Sequence, residues 1–248
     1  MLLYPIGSTS ACRHAATLLQ AGGIAITDHP SPEVTHLLLD IPSFSAEGRL
    51  RNGEALSPVL QMLPPQIVVV GGNLSDSCLG NYTTMDLLQN PLYLAKNAVI
   101  TAQCALKLAL PTVDTNFYET PALVIGWGRI GTCLAQMLKA LDFPVTVAAR
   151  NPAHRAMLEA LGFRAVEIRQ IPDLLPRMGL VFNTVPAPLL TCLPSPCCPV
   201  FDLASAPGLD GLDVVTARGL PGTMAAKASG ALIAETILES LQHAHSSL

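Results

Sequence analysis

The sequence predicts an α/β protein with two open parallel-sheet domains, and three observations favour this fold class. Short apolar runs alternate with helical patterns along all 248 residues, which is typical of βαβ units. A glycine-rich loop at 126–131 stands between a strand pattern and a helix pattern. Hydrophobic residues make up 50% of the chain and charged residues only 13%, whereas soluble domains carry about 25% charge. This composition excludes a disordered chain.

The charge balance and the hydropathy exclude two classes of protein. Fourteen basic and 18 acidic residues give a net charge of −4 without a basic stripe, which argues against nucleic acid as a partner. The mean hydropathy is +0.43. The longest uncharged segment, 178–201, nevertheless contains five prolines, which no single helix tolerates. We therefore expect neither a transmembrane helix nor a membrane partner.

The N-terminus and the cysteines indicate the compartment. The first residues carry no basic leader, so no secretory signal is expected. Seven cysteines are scattered without a Cys-x-x-Cys pair, which indicates reduced thiols and a cytoplasmic protein. Cys197 and Cys198 are adjacent, but no histidine lies near them in the sequence. We interpret them as structural and predict no metal site.

Residues 1–96 are predicted to form an N-terminal flavodoxin-like α/β domain. Its apolar runs cover 2–6, 24–27, 35–41 and 67–70. A helix is expected over 10–20, because Gly22 and Gly23 follow as a stop signal. The turn from Gly7 to Ser10 is interpreted as the cap of this helix, with anion binding by its backbone N–H groups as the alternative.

Residues 97–248 are predicted to form the second domain. It begins with a connecting helix over 97–110 and ends with a C-terminal helix over 223–242, which has apolar residues on one face. Strands are expected over 121–125, 145–149, 180–182, 199–202 and 213–216.

The loop after the first of these strands has the spacing Gly-x-Gly-x-x-Gly. Its residues are Gly126, Trp127, Gly128, Arg129, Ile130 and Gly131. The strand–loop–helix–strand order is the context in which this motif binds the diphosphate of a dinucleotide. The first glycine permits a tight turn, the second admits the diphosphate, and the third lets helix and strand pack closely. The second domain is thus predicted to be a Rossmann dinucleotide-binding domain.

The residue after the second strand indicates which dinucleotide binds. NAD sites usually place Asp or Glu there, about 20 residues after the loop. Here Arg150 and Asn151 occupy these positions. A guanidinium grips a 2′-phosphate as a fork, and Arg155 in the next helix is predicted to assist. The predicted cofactor is NADP; NAD is the alternative if Arg150 only stacks on the adenine.

Polar residues follow the last three predicted strands. They are Asn183 with Thr184, Val185 and Pro186, then Ser205, then Arg218. The carboxyl ends of strands hold the ligand in such sheets. We therefore expect Asn183, Ser205 and Arg218 near the nicotinamide and 184–186 against the cofactor. Ordinary turn chemistry is the alternative for each.

Lys227 is one of four lysines in the chain. It falls in the first turn of the predicted C-terminal helix, where a cation meets the positive end of the helix dipole. Small uncharged residues flank it on both sides. We interpret Lys227 as a ligand for an anionic substrate, with exposure to solvent as the alternative.

These motifs, taken in order, resemble the dipicolinate synthase A subunit family. The resemblance runs from residue 97 to the C-terminus and rests on 126–131, 147–150, 183–186, 202–208 and 219–230. It implies oxidation of dihydrodipicolinate, a small dicarboxylate, to dipicolinate with NADP as hydride acceptor. It also implies a place in the cytoplasm of sporulating bacteria, together with a flavoprotein-like second subunit. We further expect an oligomer.

The mechanism that this resemblance implies needs few groups. Lys227 and Arg218 are expected to clamp carboxylates, and Asn183, Ser205 or Thr101 to orient the ring. The chain departs from the family pattern at Gln103, where a glutamate is expected, and at Ala226, where a proline is expected. If that glutamate supported acid–base chemistry, Gln103 removes it, and a changed substrate or activity follows.

Two other functions stay open on the sequence. A D-2-hydroxyacid dehydrogenase-like enzyme shares the glycine-rich loop, but its chemistry needs a histidine paired with a carboxylate. None of the six histidines lies in the late strand-end loops. A non-catalytic module that senses NADPH is the second alternative, and Gln103 is the residue that favours it.

Overall fold

The chain divides into two compact units. The computed structural model describes residues 1–189, 198–209 and 214–246, with side chains up to 242. The first unit contains Met1–Asn97 and the chain from Pro221 onward, and the second contains Ala98–Leu220. Each unit has its own parallel sheet, which confirms the predicted fold class. Of the adjacent cysteines Cys197 and Cys198, which the sequence suggests are structural, Cys197 lies outside the described residues, whereas Cys198 is a half-buried thiol.

The sheet of the first unit has the strand order β2-β1-β3-β4-β5, with every pair parallel. Its strands are β1 (Leu2–Pro5), β2 (Ala25–Ile26), β3 (His36–Leu38), β4 (Val68–Gly71) and β5 (Thr83–Asp86). This is the order of flavodoxin-like sheets. The central strands are apolar because both of their faces are covered. The edge strand β5 was not predicted, since Thr83 and Thr84 are polar and exposed.

The helices of the first unit come from both ends of the chain. They are α1 (Ser10–Ala21), α2 (Ser57–Gln61), the beginning of α3 (Pro91–Ala109), most of α7 (Leu220–Met224), and α8 (Ala226–Ser246). The predicted C-terminal helix is thus two helices that meet at Ala225. The sequence predicts this segment as part of the second domain, whereas the structure groups α8 with the first unit because it packs along α1.

A glycine sets the close approach of α8 to α1. A Cβ atom at Gly230 would lie 2.6 Å from the carbonyl oxygen of Ala11 and 3.0 Å from the amide nitrogen of Ala15. Both distances are below van der Waals contact with a backbone that cannot move aside. The close packing of α8 on α1 therefore explains why a glycine stands at position 230.

An internal carboxylate occupies the N-terminus of α1. Asp40, buried just after β3, accepts hydrogen bonds from the amide nitrogens of Ser8 (2.8 Å) and Thr9 (3.0 Å) and from both hydroxyls. Thr9 also caps the helix through the amide of Cys12. Burial and the nearby Asp40 charge raise the pKa of Cys12 to about 12. These bonds support the capping interpretation of the turn at 7–10, because a carboxylate of the chain itself accepts its backbone N–H groups.

The sheet of the second unit has the order β11-β10-β9-β6-β7-β8 and is also entirely parallel. Its strands are β6 (Ala122–Ile125), β7 (Val145–Ala148), β8 (Arg164–Val166), β9 (Leu180–Asn183), β10 (Val200–Asp202) and β11 (Val214–Thr216). Read from β8, this is the Rossmann order, in which the first strand lies beside the fourth. The helices between them are α4 (Arg129–Ala140), α5 (Pro152–Ala160) and α6 (Ile171–Leu174).

Neither a membrane-spanning helix nor a metal-binding cluster is found among the described residues. No helix among them is long and apolar enough to cross a membrane. The same part of the chain contains no group of three or more His, Cys, Asp or Glu side chains that could hold a metal ion.

The helix crossing at Gly230 predicts a loss of stability on substitution. Gly230→Ala is expected to lower the free energy of unfolding by about 1–3 kcal/mol, because overpacking against a fixed backbone outweighs the gain in helix propensity. Chemical denaturation measures this difference. Gly80→Ala is the control, because its Cβ would lie no closer than 3.5 Å to another atom. Equal stability of the two variants would contradict the packing role.

Candidate dinucleotide site at the carboxyl edge of the second sheet

The glycine-rich loop leaves the centre of the second sheet. The strand β6 is buried on both faces and ends at Ile125, and α4 begins four residues later at Arg129. The neighbouring strand β9 ends at Asn183, in register with Ile125. The loops after β6 and β9 therefore start side by side, at the point where the strand order reverses. Ligands of doubly wound sheets bind at this point.

Two of the three glycines are required by packing. Gly126 has a φ of +104°, and a Cβ there would lie 2.5 Å from the Thr184 hydroxyl. A Cβ at Gly131 would lie 2.3 Å from the carbonyl oxygen of Gly126. A side chain at Gly126 would push away the loop after β9, and a side chain at Gly131 would push α4 away from the glycine-rich loop.

Gly128 has a different environment. It is exposed, its backbone is extended, and a Cβ at this position would meet no atom within 4 Å. The fold itself therefore does not need a glycine here. A glycine is favoured where another molecule approaches the backbone closely, and the space beside Gly128 is open to such an approach.

The N-terminus of α4 has no acceptor from the described part of the chain. Its N-cap residue, Gly128, has no side chain, no capping hydrogen bond is present, and the first turn holds no acidic residue. In α1, by contrast, Asp40 accepts the equivalent backbone N–H groups. Unpaired N–H groups at a helix N-terminus favour an anion. The site can therefore hold a diphosphate without displacing an internal group.

Thr184 joins the loop after β9 to the end of β6. Its amide nitrogen and its hydroxyl both donate to the carbonyl oxygen of Ile125, at 2.9 and 2.8 Å. Thr184 and Val185 are half-buried and Pro186 is exposed. Thr184 and Val185 lie beside Gly126, and the threonine hydroxyl is already used to hold the loop.

Asn183 lies inside the protein rather than at the surface. Its exposed fraction is 0%. Its side-chain nitrogen donates to Asp202 Oδ1 (2.8 Å) and to the Val185 carbonyl (3.1 Å), and its side-chain oxygen accepts from the Val185 amide (3.0 Å). The amide is therefore fully used. We revise the predicted contact with the nicotinamide ring and assign Asn183 as a positioning residue.

Asp202 is a residue that sequence reasoning missed. It ends β10, is buried, and accepts from Asn183 and from the amides of Ala204 (3.2 Å) and Gly208 (3.1 Å). A Cβ at Gly208 would lie 2.2 Å from the Asn183 amide nitrogen, so the loop folds tightly over this pair. A carboxylate at the end of an apolar strand was the signal available in the sequence.

Arg218 and Ser205 lie on the neighbouring strand-end loops. The Arg218 Nε donates to the Ala204 carbonyl (3.0 Å), and a terminal nitrogen lies 4.0 Å from Asp202. Its side chain is still 36% exposed, so part of the guanidinium faces solvent. Ser205 is exposed on the loop after β10. The structure thus brings Asn183, Ser205 and Arg218 to adjacent strand ends, with Asp202 among them.

Of Arg150 and Arg155, which are predicted to contact the adenosine part of the cofactor, only Arg150 is exposed. Arg150 directly follows β7 and is exposed. Asn151 caps α5 by accepting from the Ala153 amide (2.8 Å). Arg155 donates to the carbonyls of Ala149 and Arg150 and pairs with Glu167 at 2.9 Å. We therefore revise the predicted role of Arg155, which holds the end of β7 instead of contacting a phosphate.

The remaining predicted residues are separated between the units. Thr101 is buried on α3 within the second unit, and Gln103, two residues later, is exposed. Lys227 is exposed at the second position of α8, which belongs to the first unit. Burial raises the pKa of the thiols of Cys104 and Cys133, so neither is poised as a thiolate nucleophile.

Comparison with known proteins supports the resemblance drawn from the motifs. No protein-family model matches the chain. The dipicolinate synthase A subunit of Bacillus subtilis is 25% identical over 236 residues, covering 86% of this chain and 79% of that protein. The sequence resemblance to the dipicolinate synthase A subunit is thereby confirmed.

Solved structures show the same fold. The crystal structure of the dipicolinate synthase A subunit from Bacillus halodurans superposes with a TM-score of 0.83 at 23% identity, covering 97% of each chain. The transhydrogenase of Sinorhizobium meliloti superposes with a TM-score of 0.69 at 12% identity, covering 98% of this chain and 94% of that one. These likenesses concern the arrangement of strands and helices.

The buried pair of Asn183 and Asp202 predicts a sensitive position. Asp202→Asn places a second amide in the pair, so that one N–H group faces either Asn183 or the Gly208 amide without an acceptor. We expect the free energy of unfolding to fall by about 1–3 kcal/mol, the cost of a buried unpaired donor. Denaturant unfolding measures it, with Asp114→Asn at an exposed position of the same unit as control. Unchanged stability of Asp202→Asn would contradict the assignment.

Proposed function

We propose that the chain is an NADP-dependent oxidoreductase that oxidises dihydrodipicolinate to dipicolinate, as the resemblance to the dipicolinate synthase A subunit suggests. The observation that carries the proposal is the free N-terminus of α4 beside Gly128. The buried carboxylate of Asp40 accepts hydrogen bonds at the N-terminus of α1. The described residues place no carboxylate at the N-terminus of α4. A dinucleotide diphosphate is the group that the loop 126–131 fits.

The residues at the carboxyl edge of the second sheet fit a bound dinucleotide. Gly128 leaves the space that a Cβ would fill, and the N–H groups of the first turn of α4 point to the anion. Thr184 fixes the adjoining loop against Ile125. When bound, a nicotinamide dinucleotide supplies the hydride acceptor.

The chain's own contribution to the reaction is to bind and orient the dicarboxylate. In this proposal the exposed part of Arg218 attracts a carboxylate of the substrate, and the exposed Ser205 orients the ring. Asn183 and Asp202 act indirectly, by holding Arg218 and the loop that carries Ser205. Oxidation to the aromatic ring releases one hydride and one proton. Because the Gln103 amide is not basic, the proton passes to water.

The preference for NADP rests on Arg150. It occupies the strand end at which NAD sites usually place a carboxylate, and it has no hydrogen bond or ion pair with a described residue through its guanidinium. The nearest acid on the next strand end, Glu167, is paired with Arg155 and Arg169. A 2′-phosphate at this strand end would therefore be attracted by the guanidinium of Arg150. The carboxylate of Glu167 would repel it little, because two arginines neutralise that charge.

The proposal extends to the setting of the protein. The similar Bacillus subtilis protein is called a subunit, so we propose that the partner is a second, flavoprotein-like subunit. We also propose oligomeric assembly and a place in the cytoplasm. An NADPH sensor without turnover is the second candidate function, favoured by the neutral and exposed Gln103.

Gly128→Ala tests the proposed dinucleotide site without disturbing the fold. The added methyl group meets no protein atom, so thermal stability is expected to stay within about 0.5 kcal/mol of the parent. NADP binding should fall at least tenfold, because the methyl group fills the space of the diphosphate. Calorimetric titration measures binding, and the absorbance of the reduced cofactor with dihydrodipicolinate measures turnover. Unchanged NADP affinity of Gly128→Ala would refute the site. If the parent chain binds NADP but does not oxidise dihydrodipicolinate, the sensor function is favoured instead.

Arg150→Gln tests the choice of cofactor. NADP affinity is expected to fall roughly ten- to a hundredfold, the worth of one charge-assisted contact, while NAD affinity stays the same. The control is Arg51→Gln, which removes an exposed positive charge from the first unit. Equal weakening of both dinucleotides would show that Arg150 contacts a part that they share.

A further inference from the structure

A cavity opens at the edge of the second sheet opposite to the glycine-rich loop. Its volume is about 470 Å³, within the range of small-molecule sites. Pro121 before β6, Val145 in β7 and Arg164 in β8 line it. Because the strands are parallel, these residues mark the amino ends of the strands. All lining residues belong to the second unit.

Three cations line this cavity, and its described lining includes no carboxylate. The cations are Lys139, Arg164 and Arg177. Asp142 and Asp173 each precede a lining residue in the chain but are not part of the lining. The whole chain has a net charge of −4, so three positive charges around one cavity run against the overall balance.

The three cations are not equivalent. Lys139 donates to the carbonyls of Leu161 (2.8 Å) and Gly162 (3.2 Å), and its nitrogen lies 4.6 Å from the centre of the Phe163 ring. Its charge is thus fixed in place by the fold. Arg164 and Arg177 are exposed, and their guanidinium groups make neither a hydrogen bond nor an ion pair with a described residue.

The walls between these charges are apolar. Phe143, Phe163, Leu174 and Met178 line the cavity and are otherwise buried. Such a cavity suits a ligand with a flat apolar body and at least one negative group. We propose that it is a second binding site, separate from the dinucleotide site, for a small aromatic carboxylate. The guanidinium groups of Arg164 and Arg177 supply the positive charge that attracts the carboxylate.

The chain contains a natural reporter of this site. Phe163 lines the cavity, and its ring also meets the ring of Trp127 edge to face, with centroids 5.9 Å apart. Trp127 is the only tryptophan in the chain and belongs to the glycine-rich loop. A ligand against Phe163 is therefore expected to change the tryptophan emission, in the absence of any dinucleotide.

The test uses the full chain without nicotinamide cofactor and benzoate as the probe. Benzoate is titrated by calorimetry and by Trp127 emission, with benzamide as the neutral counterpart of the same shape. The double variant Arg164→Gln, Arg177→Gln removes the two exposed charges. Arg51→Gln removes an exposed charge from the first unit and serves as the matched control. Lys139 is left in place, because it caps two carbonyls and its loss would disturb the fold.

We expect benzoate to bind the parent and Arg51→Gln equally and benzamide to bind much more weakly. The double variant should bind benzoate at least tenfold more weakly, with unchanged NADP affinity. Undetectable benzoate binding to the parent, or equal affinity of parent and double variant, would overturn the proposal. Loss of NADP binding in Gly128→Ala leaves this result unaffected, so the two proposals fail separately.

Discussion

The backbone N–H groups at the start of a helix need an acceptor, and the two units meet this need in different ways. In the first unit Asp40 accepts the N–H groups of Ser8 and Thr9, so a buried carboxylate of the chain itself already lies at the start of this helix. In the second unit the N-cap is Gly128, and the described residues supply neither a capping side chain nor an acid in the first turn. An external anion therefore has a free position at α4 and none at α1. The proposed function depends on this difference.

The buried pair of Asn183 and Asp202 provides the rigid platform for the rest of the site. It joins the ends of β9 and β10 and accepts the amides of the loop that follows β10. Buried polar groups without partners are costly, whereas a complete network holds one conformation. Gly208 can pack on the pair only because it has no side chain. The exposed groups, Ser205 and Arg218, are therefore held by residues that a ligand does not touch.

The glycine-rich loop and the buried central strands follow from local patterns, which is why the sequence was sufficient to predict them, whereas the edge strands β5 and β8 were not predicted. The spacing of the glycines in the loop 126–131 predicts its place between a strand and a helix, and buried parallel strands are continuous apolar runs. What a polar side chain contacts depends on neighbours that are distant in the chain. Arg155 has the right type and position for a phosphate, yet Glu167 and two carbonyls engage it. In the same way, the apolar face of α8 predicts that this helix is buried, but it does not show which helix covers it. The close approach of Gly230 to Ala11 in the structure identifies α1 as that helix.

The two edges of the second sheet are connected through aromatic side chains. Trp127 leaves the loop at the carboxyl edge, and its ring meets Phe163, which lines the cavity at the amino edge and lies under the fixed charge of Lys139. A ligand in the cavity changes dinucleotide affinity only if it binds the two states of the loop differently. Any such effect is reciprocal, so the dinucleotide would then change the affinity of the cavity for its ligand by the same factor. The contact between Trp127 and Phe163 is the element on which both bound ligands would act.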